Sequence, residues 1–251
     1  MTQPTLLSNL VSRFWPFALV IVAFAFLPSL SGGLFTGAIR QILTTAFLFA
    51  FAAFGWNVLS GFLGYLSLGD YVYFGLSAYV CAYLLTTFGI SPLFSVVPCA
   101  VVAAAMAGTL GRLVAGLRFR GSIFALVTLA VAEIGRVALT RVPVFKGEAG
   151  IYLPLANQPA NFLFANPLAY YYAGLGLVAA GGLLSVVAYH SNWGLQLRAL
   201  RDEEIAARSL GVRIDTRLSQ AAALSAAVFA VAGAFYACSS FFVTPSTVLN
   251  I

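Results

Sequence analysis

Seven long apolar runs that do not alternate constrain this chain more than any other feature. They cover 15–30, 38–59, 71–88, 93–117, 123–142, 167–188 and 218–242. A helix needs about 20 apolar residues to cross the hydrocarbon of a bilayer, whereas barrel strands need about 10 and alternate, so these runs read as helices. Inside a bilayer every backbone N–H and C=O must be satisfied within the chain, and a helix does so locally. The expected fold class is therefore all-α, a polytopic transmembrane helical bundle of about seven spans forming one membrane domain over 1–251. Composition agrees, because 61% of the 251 residues are hydrophobic and 8% are charged, against about 25% charged in soluble domains.

The net charge of +6 could point to nucleic acid, but the basic residues are scattered between runs and form no basic domain, so no nucleic-acid partner is expected. They fit a topology signal. Arg13 precedes the first run, Arg112, Arg118 and Arg120 end the fourth, and Arg198, Arg201, Arg208, Arg213 and Arg217 precede the seventh. Arg141 and Lys146 fall on the other side. The positive-inside rule then puts the N-terminus and both Arg-rich segments in the cytoplasm and the interval 142–166 outside. That interval, with Pro143, Lys146, Gly147, Glu148, Gly150, Pro154 and Pro159, is expected to be a structured external loop. The first run lacks a small-x-small cleavage pattern and is expected to be retained as a helix.

Between Asn57 and Gly75 the composition changes. Small residues recur every third position at Gly61, Gly64 and Ser67, and Gly69 and Asp70 follow. Such a run is a poor continuous helix, and broken backbone at membrane depth persists only where protein or a wet cavity satisfies it. Two readings stay open: a flexible loop, or a re-entrant or broken segment between Gly61 and Gly69 that lines a pathway. Asp70 sharpens the choice, since a carboxylate beside spans is costly unless interfacial, paired or wet.

Two charged features follow. Glu133 and Arg136 stand three apart on the fifth run and can face each other. They either neutralise one another or, buried inside a bundle, bound a translocation path or lock one conformation. The stretch from Arg198 to Gly211 is a charged, water-loving helix candidate, in which Glu204 and Arg208 share a face in the favourable order and Gly211 supplies a stop. Pattern alone leaves it as a connector within the interval 191–217 or as a surface on which a partner outside the membrane pushes. Cys81, Cys99 and Cys238 lie in apolar runs without CxxC spacing or a nearby histidine and read as core packing.

The single lysine, Lys146, is followed by Gly147, so no Gly-x-x-x-x-Gly-Lys-Ser/Thr phosphate loop exists and the chain has no ATPase site of its own. It has no His-x-x-x-His, no cysteine cluster and no serine with matching histidine and aspartate partners, so metal and nucleophilic catalysis lack their components. Transport or membrane scaffolding remains.

Asn57-x-x-x-Gly61-x-x-Gly64-x-x-Ser67-Leu-Gly69, then Phe74-Gly75 and Ala78-Tyr79, resembles the N-terminal signature of permease subunits of branched-chain amino acid ABC transporters, the LivM type. Arg118-x-Arg120-Gly121 with Ala125, Thr128-Leu129 and Glu133-Ile134 is similar to that family's central segment. Arg201-Asp202, Glu204-Ile205-Ala206-Ala207 and Leu210-Gly211 resemble its cytoplasmic loop, and Ala232-Gly233-Ala234 also fits. These collinear matches extend from Asn57 to Pro245.

The resemblance implies a second, related permease subunit (LivH type), cytoplasmic ATP-binding subunits, a periplasmic substrate-binding protein and the lipid of a bacterial inner membrane. It implies no cofactor in this chain, ATP and Mg being bound by the partner ATPase. It further implies a coupling role for Arg198, Arg201, Glu204, Ala207, Arg208 and Gly211, seated in a cleft of the ATPase. Asn57, Gly61, Gly64, Ser67, Gly69, Asp70, Thr128, Glu133 and Arg136 become candidates for the path of a branched-chain amino acid or related small polar solute. Members usually carry His or Gln at the position of Asp70, Gly at Ser77 and Asp at Ser122, which leaves urea or amide substrates as alternatives. They also continue beyond Pro245, so a chain ending at Ile251 reads as C-terminally shortened. A stand-alone secondary carrier or channel, or a non-transporting assembly subunit, are the competing functions.

Overall fold

In the computed structural model, which describes residues 6–30, 36–117, 121–142, 150–153, 163–164 and 166–248, the apolar runs are helices. In chain order these are α1 (Leu6–Leu30), α2 (Gly37–Trp56) with a π-helical continuation (Asn57–Phe62), α3 (Tyr71–Phe88), α4 (Pro92–Gly116) and α5 (Gly121–Arg141). A short strand β1 (Ile151–Tyr152) precedes α6 (Pro167–His190), α7 (Asn192–Asp202), α8 (Glu204–Ser209) and α9 (Ile214–Ser240). Strand β2 (Phe242–Val243) and α10 (Pro245–Val248) follow. Among the described residues, 6 helices are long and apolar enough to cross a membrane: α2 with its continuation, α3, α4, α5, α6 and α9. In α1 the apolar stretch is the shorter Trp15–Pro28.

Local chemistry sets the helix ends. Pro92 and Pro167 open α4 and α6, where a missing N–H costs nothing, and the side chains of Ser91 and Asn166 accept from Leu93 and Leu168 N–H. Gly89 closes α3 in the left-handed region at φ 66°.

The most buried span is α9, which packs against α4, α3 and α2. Within lipid there is no hydrophobic drive between helices, so close packing through small residues holds them together. Gly108 and Gly111 of α4 lie against the backbone of Ser219 and Leu218, and Ser219 Oγ donates to the Gly108 carbonyl at 2.7 Å. Gly233 of α9 touches the Phe74 carbonyl of α3. A second cluster, Phe47, Tyr171, Leu175 and Val178, joins α2 to α6.

The 27 residues of α9 span about 40 Å at 1.5 Å per residue. This length separates the α7–α8 pair at its start from β2 at its end. Strand β2 pairs antiparallel with β1, Ile151 opposite Val243 and Tyr152 opposite Phe242. Residues 151 and 152 therefore lie at the end opposite the arginine-rich helices. The ribbon itself was not expected from an all-helical pattern. It forms because Gly150, at φ 71°, lets the chain run against the Val243 carbonyl, and Tyr152 stacks on Phe242. Arg118, Arg120, Pro143, Lys146, Gly147, Glu148, Pro154 and Pro159 lie outside the described residues.

Candidate functional site

The second span breaks where its small residues cluster. Beyond Trp56 the helix widens into the π turn Asn57–Phe62, a geometry common at functional sites. Gly61 permits it, since a Cβ there would strike the Asn57 side chain. The chain then leaves helical form from Leu63 to Asp70 and enters α3. Within a bilayer the freed backbone groups need partners, and these are present. Trp56 Nε1 donates to the Ser67 carbonyl at 3.0 Å, Ser60 Oγ to the Tyr65 carbonyl at 3.2 Å, and Leu68 N–H to Thr128 Oγ1 at 3.2 Å. Thr128 Oγ1 itself donates to Ala125 O at 2.9 Å, so one hydroxyl joins the broken segment to α5.

Asp70 is 7% exposed and sits at the end of this segment. Its two oxygens accept from Ser67 Oγ at 2.8 Å and Ser225 Oγ at 3.1 Å. Ser225 comes from the middle of α9, so the carboxylate ties the break to the most buried helix. A buried carboxylate is tolerated at such a site only with hydrogen-bond donors on its oxygens. Beside it, Gly69 lies directly on the Thr128 carbonyl. The structure thus brings Ser67, Gly69, Asp70 and Thr128 together.

Glu133 and Arg136 are elsewhere. Their ion pair spans 2.8 Å and the side chains are 48% and 44% exposed. Phe124, Ala125, Thr128, Ala132 and Leu139 turn inward from α5, so the pair falls on the opposite, outward side. A pair buried inside this chain's own bundle is therefore not found. Tyr71 Oη donates to Glu133 at 3.1 Å and links it to the start of α3.

The arginine-rich stretch forms two helices instead of the single one expected. It bends at Glu203, whose backbone is extended at φ −152°. The bend lets Gly194, Leu197 and Leu200 of α7 and Ala207 of α8 all reach the interior. Arg198 stacks 3.8 Å over the Tyr189 ring and donates to the Tyr189 carbonyl at 3.0 Å, fastening α7 to the end of α6. Glu204 and Arg208 form the expected ion pair, at 2.8 Å. Gly211 ends α8 at φ 86°, with Val212 N–H donating back to Ala207 O at 3.1 Å. Ala207 is 3% exposed, whereas Ile205 and Leu210 are 66% and 85% exposed.

Arg201 joins the two regions. Arg201 Nη1 donates to the Gly61 carbonyl at 2.8 Å, and the Arg201 stem lies against Gly64, which sits at φ 79°. The π turn frees that carbonyl from the regular helical ladder, and the charged helix takes it up.

Sequence reading missed Ser225, Trp56 and Tyr71, and it named Ile205 and Leu210 only within the resemblance to the cytoplasmic loop, not as an exposed face. A serine or tyrosine on an apolar helix carries no local mark of its partner, and the exposure of Ile205 and Leu210 depends on the bend at Glu203. Among the described residues, no group of three metal-ligating side chains comes together.

Residues 38–251 match the family described as branched-chain amino acid transport system / permease component. A curated relative, the high-affinity branched-chain amino acid transport system permease protein LivM of Escherichia coli (strain K12), is 29% identical over 237 residues, covering 82% of this chain and 54% of the relative. The chain thus spans about half the length of that protein. No solved structure is significantly similar to the chain.

Proposed function

Because the chain belongs to the family of branched-chain amino acid transport system permease components, we propose that it is a membrane subunit of an ATP-binding-cassette importer for branched-chain amino acids or related small polar solutes. It works with a second, related permease of the LivH type, with cytoplasmic ATPase subunits that hold ATP and Mg, and with a periplasmic substrate-binding protein. It lies in the bacterial inner membrane with the N-terminus and the α7–α8 pair in the cytoplasm. Arg13, Arg112 and the arginines from Arg198 to Arg217 support that sidedness.

The observation that carries the reading is the Arg201 grip on Gly61 and Gly64. Ile205 on α8 and Leu210 just after it form the face that docks on the ATPase. Nucleotide-driven movement of α8 passes through α7 to Arg201 and from there to the broken segment. The segment hands it to α5 through Thr128 and to α9 through Asp70 and Ser225. Apart from this segment, α5 meets the chain mainly through α3 and α10, so it is the span freest to respond. The outward face of α5, with Glu133 and Arg136, borders the path shared with the second permease. An ion pair on an apolar helix needs a polar or protein surround, which lipid does not provide.

The test is ATP-driven leucine uptake in liposomes carrying the complete complex. Arg201→Ala is expected to leave the complex assembled while uptake falls by the roughly 5–150-fold that a coupling energy of this kind represents. Unchanged uptake would remove the relay. Uptake by this chain alone under an ion gradient would replace the reading with a secondary carrier.

A further inference from the structure

Three thiols that the sequence scatters over three spans come to one side of the bundle. Cys81 lies on α3, Cys99 on α4 and Cys238 on α9, and all three are free. Each sits in the part of its helix near Gly89, Pro92 or the β2 strand, which is the end of the bundle opposite the arginine-rich helices. Cys81 Sγ and Cys99 Sγ are 3.9 Å apart across the α3–α4 seam. Ser95 Oγ donates to Cys81 Sγ at 3.2 Å, and Ser77 Oγ lies 4.0 Å from the same sulfur.

A structural cysteine in an apolar core normally has carbon neighbours and is inert. Cys81 instead has a second sulfur and two hydroxyls around it, although the residue is fully buried. Ser95 Oγ, which also lies 3.3 Å from the Pro92 carbonyl, thus gives this sulfur a polar neighbour that a core cysteine normally lacks. Cys99 is only partly buried, and its neighbours Val97, Val101 and Val102 are exposed on α4, so a reagent dissolved in the membrane reaches the pair from that side.

We infer that Cys81 and Cys99 form a redox-responsive pair, which a membrane-permeant two-electron oxidant of the azodicarboxamide class converts into a disulfide that staples α3 to α4. Each thiol loses its proton and the two sulfurs share a new bond. The electron pair and both protons go to the N=N bond of the oxidant, which leaves as the hydrazine. The sulfurs start in van der Waals contact, so side-chain rotation with a small helix adjustment brings them to the bonding distance of about 2.0 Å. The staple fixes α3, which follows directly from the broken segment, to its neighbour.

The experiment treats the detergent-purified complex with diamide, then counts thiols on this chain by maleimide mass-tagging after denaturation. The wild-type chain is expected to lose two of its 3 cysteines to labelling, to stay monomeric on a non-reducing gel, and to recover both with dithiothreitol. Cys238→Ala should still lose both remaining thiols, whereas Cys99→Ala and Cys81→Ala should lose none. Cys81→Ser provides a second variant if the alanine fails to fold. Retention of all three wild-type thiols, or a loss that persists in Cys99→Ala, overturns the pair. Oxidation is also expected to lower ATP-driven uptake by roughly 5–150-fold, reversibly, and unchanged uptake by a fully oxidised complex overturns the stapling. That second readout rests on the permease reading, whereas the thiol count is independent of it, so the two failures are distinguishable.

Discussion

At the scale of single residues, the break in the second span depends on side chains that replace lost helical hydrogen bonds. Thr128 shows this most directly, because its hydroxyl accepts from Leu68 N–H while donating to Ala125 O. Thr128→Val keeps the shape and removes the acceptor, leaving a partly buried N–H unpaired at a cost of about 1 kcal/mol, the low end for a lost hydrogen-bond partner. The midpoint of chemical unfolding in micelles is expected to fall accordingly, and Thr128→Ser to restore most of it. Equal midpoints for the valine and serine variants would show that Leu68 finds another partner. Gly211 isolates a different effect. A Cβ there meets nothing, yet φ is 86°, so Gly211→Ala carries backbone strain alone. The expected loss is about 1–2 kcal/mol. Gly116 also has open space around it but no positive φ, so Gly116→Ala is expected to be neutral or slightly stabilising in the same assay.

At the scale of elements, the bend between α7 and α8 assigns opposite duties to residues that a single helix would mix. Arg201 and Ala207 turn toward the bundle, whereas Ile205 and Leu210 turn away from it. Pairs such as Glu204 with Arg208 contribute only about 0.3–0.5 kcal/mol on a helix surface, so they shape α8 without anchoring it. The anchoring comes from Arg198 on Tyr189 and Arg201 on Gly61. Ile205→Asp combined with Leu210→Asp should therefore leave the fold intact, read as an unchanged gel-filtration profile. Capture of the purified ATPase subunit should weaken by more than about tenfold, as for loss of an interface hot spot. Wild-type affinity in that double variant would move the docking face away from α8.

At the scale of the molecule, α9 organises the bundle, and α5 is attached to it through fewer elements. The Asp70 carboxylate bridges the break to α9, and the Thr128 hydroxyl bridges the same break to α5. A displacement of residues 63–70 acts on both, and on α5 it reaches the exposed Glu133–Arg136 pair of the outward face. The small ribbon of β1 and β2 closes the opposite end, where Leu153 N–H also donates to the Phe241 carbonyl at 2.9 Å.

The amino-acid sequence by itself determined that the chain is helical and membrane-spanning, where its second span breaks, which segments share a side, and which ion pair stiffens α8. Each of these follows from local periodicity, glycine spacing or charge, which act over a few residues or along one helix. Tertiary structure alone decided that Asp70 faces Ser225, that Thr128 serves Leu68, that Arg201 reaches Gly61 across the chain, and that Glu133 with Arg136 lies outside the bundle. It also decided that Cys81 meets Cys99. Those partners are set by how far each helix is rotated and how deep it sits against its neighbours. Small-residue packing fixes that rotation and depth only once the helices touch.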